Sequence, residues 1–174
     1  MNCTLSLRLT AVLLLGGAAL PAQSAGNPVV AEVKQMYNGV KNNLVKMAEK
    51  MPEEHYSFKA SPDIRTFGQL IAHVADSQGR TCSTMNGEAK QLGAGKMTAK
   101  ADLVNALKES FAWCDKAVEA TTDANAMEMM NMGRGQRSRI GALMGMISHS
   151  NLEYGYTAVY MRIKGIVPPS SEPR

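Results

Sequence analysis

The chain has 174 residues, which suits one domain with one core, and its formal net charge of +4 is scattered along it. The only basic cluster, RGQRSR at 134–139, lacks interleaved aromatics or a recognition-helix pattern, so nucleic-acid binding is not expected. Beyond the amino terminus no segment approaches the roughly 18–20 apolar residues of a membrane-spanning helix, which excludes a stable membrane anchor from the expectation.

The opening stretch MNCTLSLRLTAVLLLGGAALPAQSA has a secretory pattern: Arg8, an apolar run over 9–20, then small residues and a proline. Residues 1–24 are therefore read as a signal peptide, cleaved between 22 and 25, and 25–174 as the mature domain, placed in the periplasm or outside the cell. A retained anchor is the alternative. Loss of Arg8 takes the net charge from +4 to +3. Cys3 leaves with the leader, and Cys82 and Cys114 remain. Two cysteines in different helices of an exported chain are expected to form a disulfide, the alternative being two buried thiols. Neither sits in a C-x-x-C or beside a catalytic-looking histidine, which argues against a thiol nucleophile.

The next elements read as helices. Asn27-Pro28 has the form of an N-cap and first helical residue, and Val33, Met36, Tyr37, Val40, Leu44, Met47 and Met51 recur at steps of three and four, so a helix runs to about Lys50. After an irregular connection containing His55, a second helix starts near Thr66. Phe67, Leu70, Ile71, Val74 and Cys82 form its buried side, and Asn86-Gly87 suits its end. A glycine- and lysine-rich linker follows at 88–96. Thr98 is expected to cap a third helix with Leu103, Leu107, Phe111, Cys114 and Val118 inside. Residues 126–139 read as a loop, methionine-dense and then glycine- and arginine-dense. A fourth helix runs from near Ser138 to Lys164, with Ile140, Leu143, Met144, Ile147 and Val159 on its apolar side and Gly165 after it. No stretch shows sustained period-two alternation. The expected fold class is all-α, an antiparallel four-helix bundle whose 13 methionines make an adaptable interior.

The fourth helix carries an unusual pair. His149 and Glu153 are four residues apart, so they differ by about 40° in direction and about 6 Å along the axis. Tyr156 and Tyr160 continue that face, as wall residues of a pocket or as core. Two ligands from one helix make a weak metal site, and His73, embedded among Leu70 and Val74 on the second helix, is the candidate third. Such a His, His, carboxylate set with open positions suits zinc, nickel or ferrous iron. The blander reading is a core histidine beside an intrahelical His149–Glu153 pair. Asp76, one turn after His73, is a candidate to orient that histidine, or simply a surface residue. The MEMMNM run at 127–132 adds a minor reading, cuprous-ion handling by thioethers.

Three stretches resemble the DinB-like (YfiT-type) superfamily of metal-binding four-helix bundles, in particular its exported members. DIRTFGQLIAHVADSQ is similar to the second-helix signature leading to the first metal histidine, and ALKESFAWCDKAVEATTD to the third helix. HSNLEYGYTAVYMRIKGIVPPSS is similar to the last helix, with its Tyr160-Met161-Arg162 stretch and the tail at 165–169. The resemblance implies that His73 and His149 take the places of the first two metal histidines. Glu153 stands where the family usually has a third histidine. It is expected either to remain a ligand, shifting preference toward iron or manganese, or to mark a lapsed site in which it pairs with His149, Arg139 or Arg162.

The resemblance further implies one divalent transition metal per chain (zinc, nickel, iron or manganese), a small-molecule substrate and a homodimer. Activities implied for relatives are transfer of a low-molecular-weight thiol to an electrophile and thiol-dependent isomerisation, the metal favouring the deprotonated sulfur. Export weakens the thiol reading, because reduced small thiols are scarce in an oxidising compartment. The expected function is thus an exported metal-dependent protein, of hydrolase or thiol-transferase type if an enzyme. A non-catalytic binding bundle with a degenerate site competes with it.

Overall fold

The computed structural model describes residues 28–173 except 89 and 134. The leader, Cys3 and the Asn27 cap lie outside the described residues. Four long helices form: α1 (Pro28–Lys50), α2 (Phe67–Met85), α3 (Lys100–Glu119) and α4 (Arg139–Ile163). Between the last two stands a hairpin of β1 (Met129–Asn131) and β2 (Gln136–Ser138). Among the described residues no helix is long and apolar enough to cross a membrane.

The starts of α2 and α4 follow from their capping residues. Thr66 accepts from the Gln69 backbone N–H while the Gln69 side chain accepts from the Thr66 N–H, a reciprocal cap that stops the first turn from fraying. Ser138 accepts from the Gly141 N–H and opens α4. Thr98 does not cap α3. That helix begins one residue later than a Thr98 cap implies, after Ala99, with no side-chain cap. Gly165, at φ 72°, makes the left-handed turn after α4.

Nearly every core position expected from the spacing is buried, from Val33 through Phe111 to Ile147. Met36, Met144 and Val159 are corrections, each more than half exposed. On α4 the misreading has a simple cause: exposed apolar residues at 144, 152, 156, 159 and 163 form a second stripe, and periodicity cannot say which stripe faces inward.

The expected alternation of helix direction is also corrected. α1 runs antiparallel to α3, with Tyr37 at Phe111 and Lys108 at Glu49. α2 runs antiparallel to α4, with Arg65 at Tyr160 and Gln78 at Ser150. But α2 and α3 are parallel: Gly68 faces Leu103, Gln78 faces Ser110, and Cys82 is bonded to Cys114. Residues 86–99 therefore cross the molecule lengthwise between them, well within the span of roughly 3.3 Å per extended residue. This crossover contains a 3-10 turn, Ala94–Lys96, and Leu92 packs against the core.

The hairpin was not expected. Three-residue strands are too short for alternation to register, and its tip needs positive φ at Gly133 and Gly135. It also separates the methionines. Met127 and Met129 point to solvent while Met130 and Met132 pack on the core, so the thioethers do not converge as cuprous-ion binding would need.

Candidate metal centre

α2 and α4 are fastened on either side of the candidate ligands. At one end the buried Tyr160 hydroxyl donates to the Arg65 carbonyl at 2.5 Å, fixing the chain that enters α2. At the other, buried Gln78 accepts from Ser150 at 3.4 Å and donates to Ser110 at 2.6 Å, linking α2 to α4 and α3. Between these ties the antiparallel pairing brings His73 opposite His149.

The two Nε2 atoms stand 3.1 Å apart, with ring centroids 5.0 Å apart and planes at 67°. Glu153 Oε1 lies 3.6 Å from each of those nitrogens. The three side chains predicted from the sequence are thus gathered around one point. At 3.6 Å neither carboxylate contact is a hydrogen bond. The other oxygen, Glu153 Oε2, is buried without a partner, one of only two such side-chain atoms among the described residues. An unsatisfied buried acceptor costs about 1–3 kcal/mol, and more when charged.

A cation would give Oε1 and both imidazole nitrogens a shared partner and offset the charge of the buried carboxylate. Given the three separations, one point lies about 2.0 Å from all three ligand atoms, the usual bond length from zinc-like ions to imidazole nitrogen and carboxylate oxygen. The residues fit a metal. Both imidazoles are about a third exposed while Glu153 is 4 % exposed, so the anionic ligand lies deepest and the histidines face the opening.

Burial lowers the His73 pKa below the ordinary imidazole value, and Arg65, His149 and Arg80 add to this against the opposing pull of Glu153. A neutral imidazole is the form that donates a lone pair to a metal. Neither arginine offered as a partner for Glu153 reaches it: Arg139 pairs with Glu128 at 3.4 Å, and Arg162 donates to Ser171 at 2.9 Å.

Two expectations around the cluster, for Asp76 and Tyr156, are corrected, while Tyr160 takes the core alternative. Asp76 does not orient His73; its two oxygens accept the backbone N–H groups of Ala94 and Gly95, each at 2.9 Å, and so pin the crossover to α2. Tyr156 is half exposed and belongs to neither core nor pocket. Tyr160 is core, ring edge against Phe58 at 5.8 Å. The Cys82–Cys114 disulfide forms as expected, with Cα atoms 4.8 Å apart. His55 lies in a short 3-10 turn, away from the cluster.

Sequence reasoning missed Gln78, Ser150, Arg80 and Arg137. Gln78 had a legible signal, a polar side chain at a core position between Val74 and Cys82. Arg80 and Arg137 did not, because an arginine in a helix or loop is ordinarily solvated. Both line a 420 Å³ groove that begins at His149.

A model for the DinB superfamily matches residues 36–156. The structure is similar to that of a DinB-like protein from Bacillus cereus ATCC 10987, with TM-score 0.67 and 19 % identity over 80 % of this chain and 95 % of that one. It is also similar to a DinB-like protein, YjoA, from Bacillus subtilis, with TM-score 0.63 and 16 % identity over 82 % and 99 %. At such identities the likeness shows the fold alone. No curated protein matches the sequence.

Proposed function

The chain belongs to the DinB superfamily, and from that premise we propose that it is an exported metal-dependent protein acting on a small molecule. His73, His149 and Glu153 would hold one divalent transition ion per chain. The observation that carries this reading is Glu153, whose Oε1 lies 3.6 Å from two facing imidazole nitrogens and whose Oε2 is buried without a partner. A buried carboxylate in that state is hard to explain by packing and simple to explain by a cation.

Two neutral nitrogens and one carboxylate leave coordination positions free. The carboxylate hardens the site relative to a three-histidine set, which favours iron or manganese while still accepting zinc. The ion would supply Lewis acidity, lowering the pKa of a bound water or thiol so that a nucleophile exists near neutral pH. The protein's own residues do the rest. Glu153 offsets the cation's charge from below, the Arg65–Tyr160 and Gln78–Ser150 ties hold the two ligand helices in register, and the groove beside His149 admits the substrate. The leader favours water over a small thiol as the activated species, and hence hydrolysis over thiol transfer.

The test is elemental analysis of protein purified without added metal, followed by titration with zinc, nickel, iron and manganese. We expect close to one equivalent bound, and loss of binding by at least a hundredfold in His73→Ala and His149→Ala variants that keep their helical circular dichroism. Well-folded wild-type protein that takes up none of the four ions would sink the proposal and leave a non-catalytic bundle.

A further inference from the structure

Position by position, one side of α2 continues from the ligand His73 to Ser77, Arg80 and Thr84, steps of four, three and four that keep one helical face. The facing side of α4 runs from Ala142 through Gly145 to His149. Between them lies the 420 Å³ groove, closed at its far end by the hairpin residues Met132 and Gly133. The small residues on α4 keep it open. At Gly145 the fit is close: a Cβ there would stand 2.9 Å from Arg137 Nη1, so the guanidinium lies against the bare backbone of the helix.

Arg80 and Arg137 both line this groove, and neither has an ion pair or side-chain hydrogen bond among the described residues. Some other cations are matched: Lys41 with Asp115, Lys108 with Glu49, Arg139 with Glu128. Among the described residues no carboxylate lines the groove. The Ser77 hydroxyl is also uncommitted, whereas Thr81 and Thr84 donate to main-chain carbonyls of their own helix. Two unmatched guanidiniums and a free hydroxyl along an acid-free channel offer donors and no competing acceptor. Guanidinium is the side chain whose planar fork matches carboxylate and phosphate oxygens.

We propose that this groove is an anion subsite, in which Arg80 and Arg137 hold a carboxylate or phosphate group of the same small molecule whose other end reaches the His73–His149–Glu153 cluster. The proposal rests on the metal-dependent reading for its second half and on the arginines alone for its first. Distances along the helices set the size of the ligand. Gly145, where Arg137 docks, is four residues from His149, and Arg80 is seven from His73, so the anion stands about 6–10 Å from the cluster at about 1.5 Å per residue. That is the span of a compact organic anion. Specificity would then come from charge at one end and the chemistry of the cluster at the other.

The test uses metal-stripped full-length mature protein, so that no anion is held by a cation. Inorganic phosphate and succinate are titrated separately at low ionic strength, followed by backbone amide NMR shifts at 77–84 and 142–149. Saturable shifts with either probe, weakened at least tenfold in both Arg80→Gln and Arg137→Gln, support the proposal; the tighter probe identifies the anion class. The same titration on His149→Ala should retain anion binding while metal binding is lost, and the arginine variants should retain metal binding, which separates failure of the subsite from failure of the metal reading. Absence of saturable binding by both probes, or affinity unchanged in either arginine variant, overturns it.

Discussion

The two seams that α2 makes with its neighbours differ in how fully they are satisfied. Toward α3 the seam is closed: Cys82 is bonded to Cys114, Gln78 donates to Ser110, and Gly68 packs under Leu103. Toward α4 the same helix brings His73 to within 3.1 Å of His149, beside a buried Glu153 oxygen with no partner, and Arg80 lines a groove shared with Arg137 of the hairpin. The seam toward α3 is covalently closed, while the buried carboxylate oxygen without a partner lies on the side where a ligand would bind. A single helix joins the two, so the closed seam holds the open one in position.

The sharpest way to break that division is at the closed seam. Removing the disulfide as Cys82→Ser with Cys114→Ser frees a 32-residue separation and should cost about 3–4 kcal/mol in urea unfolding. The folded fraction should still take up metal, since neither sulfur belongs to the cluster. A loss under 1 kcal/mol would show that the seam is held by packing alone.

The opposite sign is expected on the open side. Glu153→Gln replaces a buried carboxylate whose Oε2 lacks a partner, so metal-free protein should gain about 1–3 kcal/mol while metal affinity falls. If the variant is less stable without metal, the carboxylate is already compensated and the contrast between the seams fails.

Asp76 gives a smaller effect. Asp76→Ala forfeits two bonds to the crossover and should lower stability by about 1–2 kcal/mol. Metal stoichiometry should not change, because Asp76 touches neither imidazole. A change in metal content would return it to the role the sequence suggested.

The smallest effect is a pH dependence of the metal-free protein. The folded state favours neutral His73, since its pKa lies below the ordinary value of 6.5. The associated stability is fully present above about pH 6.5 and is lost as pH falls through the folded-state value. Denaturation midpoints compared at pH 7.5 and 5.5 should show this slope, and His73→Ala should reduce it.

How much of this was readable in the sequence depends on the physical range of each signal. Helix spacing is a local property, and the capping residues Thr66 and Ser138 and the turn at Gly165 mark its limits within a few residues. The His149–Glu153 pair was legible for the same reason, since one helix sets its geometry. His73 could be proposed because a histidine among Leu70 and Val74 needs a partner, although the residue facing it is 76 positions away. The parallel course of α2 and α3 was not legible, because it depends on where the 86–99 segment runs and not on its composition. Nor were the places of Arg80 and Arg137 on one groove, which depend on how α2 and the hairpin pack beside α4. Met144 and Val159 failed for a third reason, that α4 carries apolar residues on two sides.

The lengthwise crossover has a consequence for covalent integrity. A protease cutting in the segment between α2 and α3 would sever the polypeptide while Cys82–Cys114 still spanned the break. The nicked product would migrate as one species without reductant and as two with it. Each fragment would then carry a single imidazole of the pair, so ion retention would report whether the halves had parted.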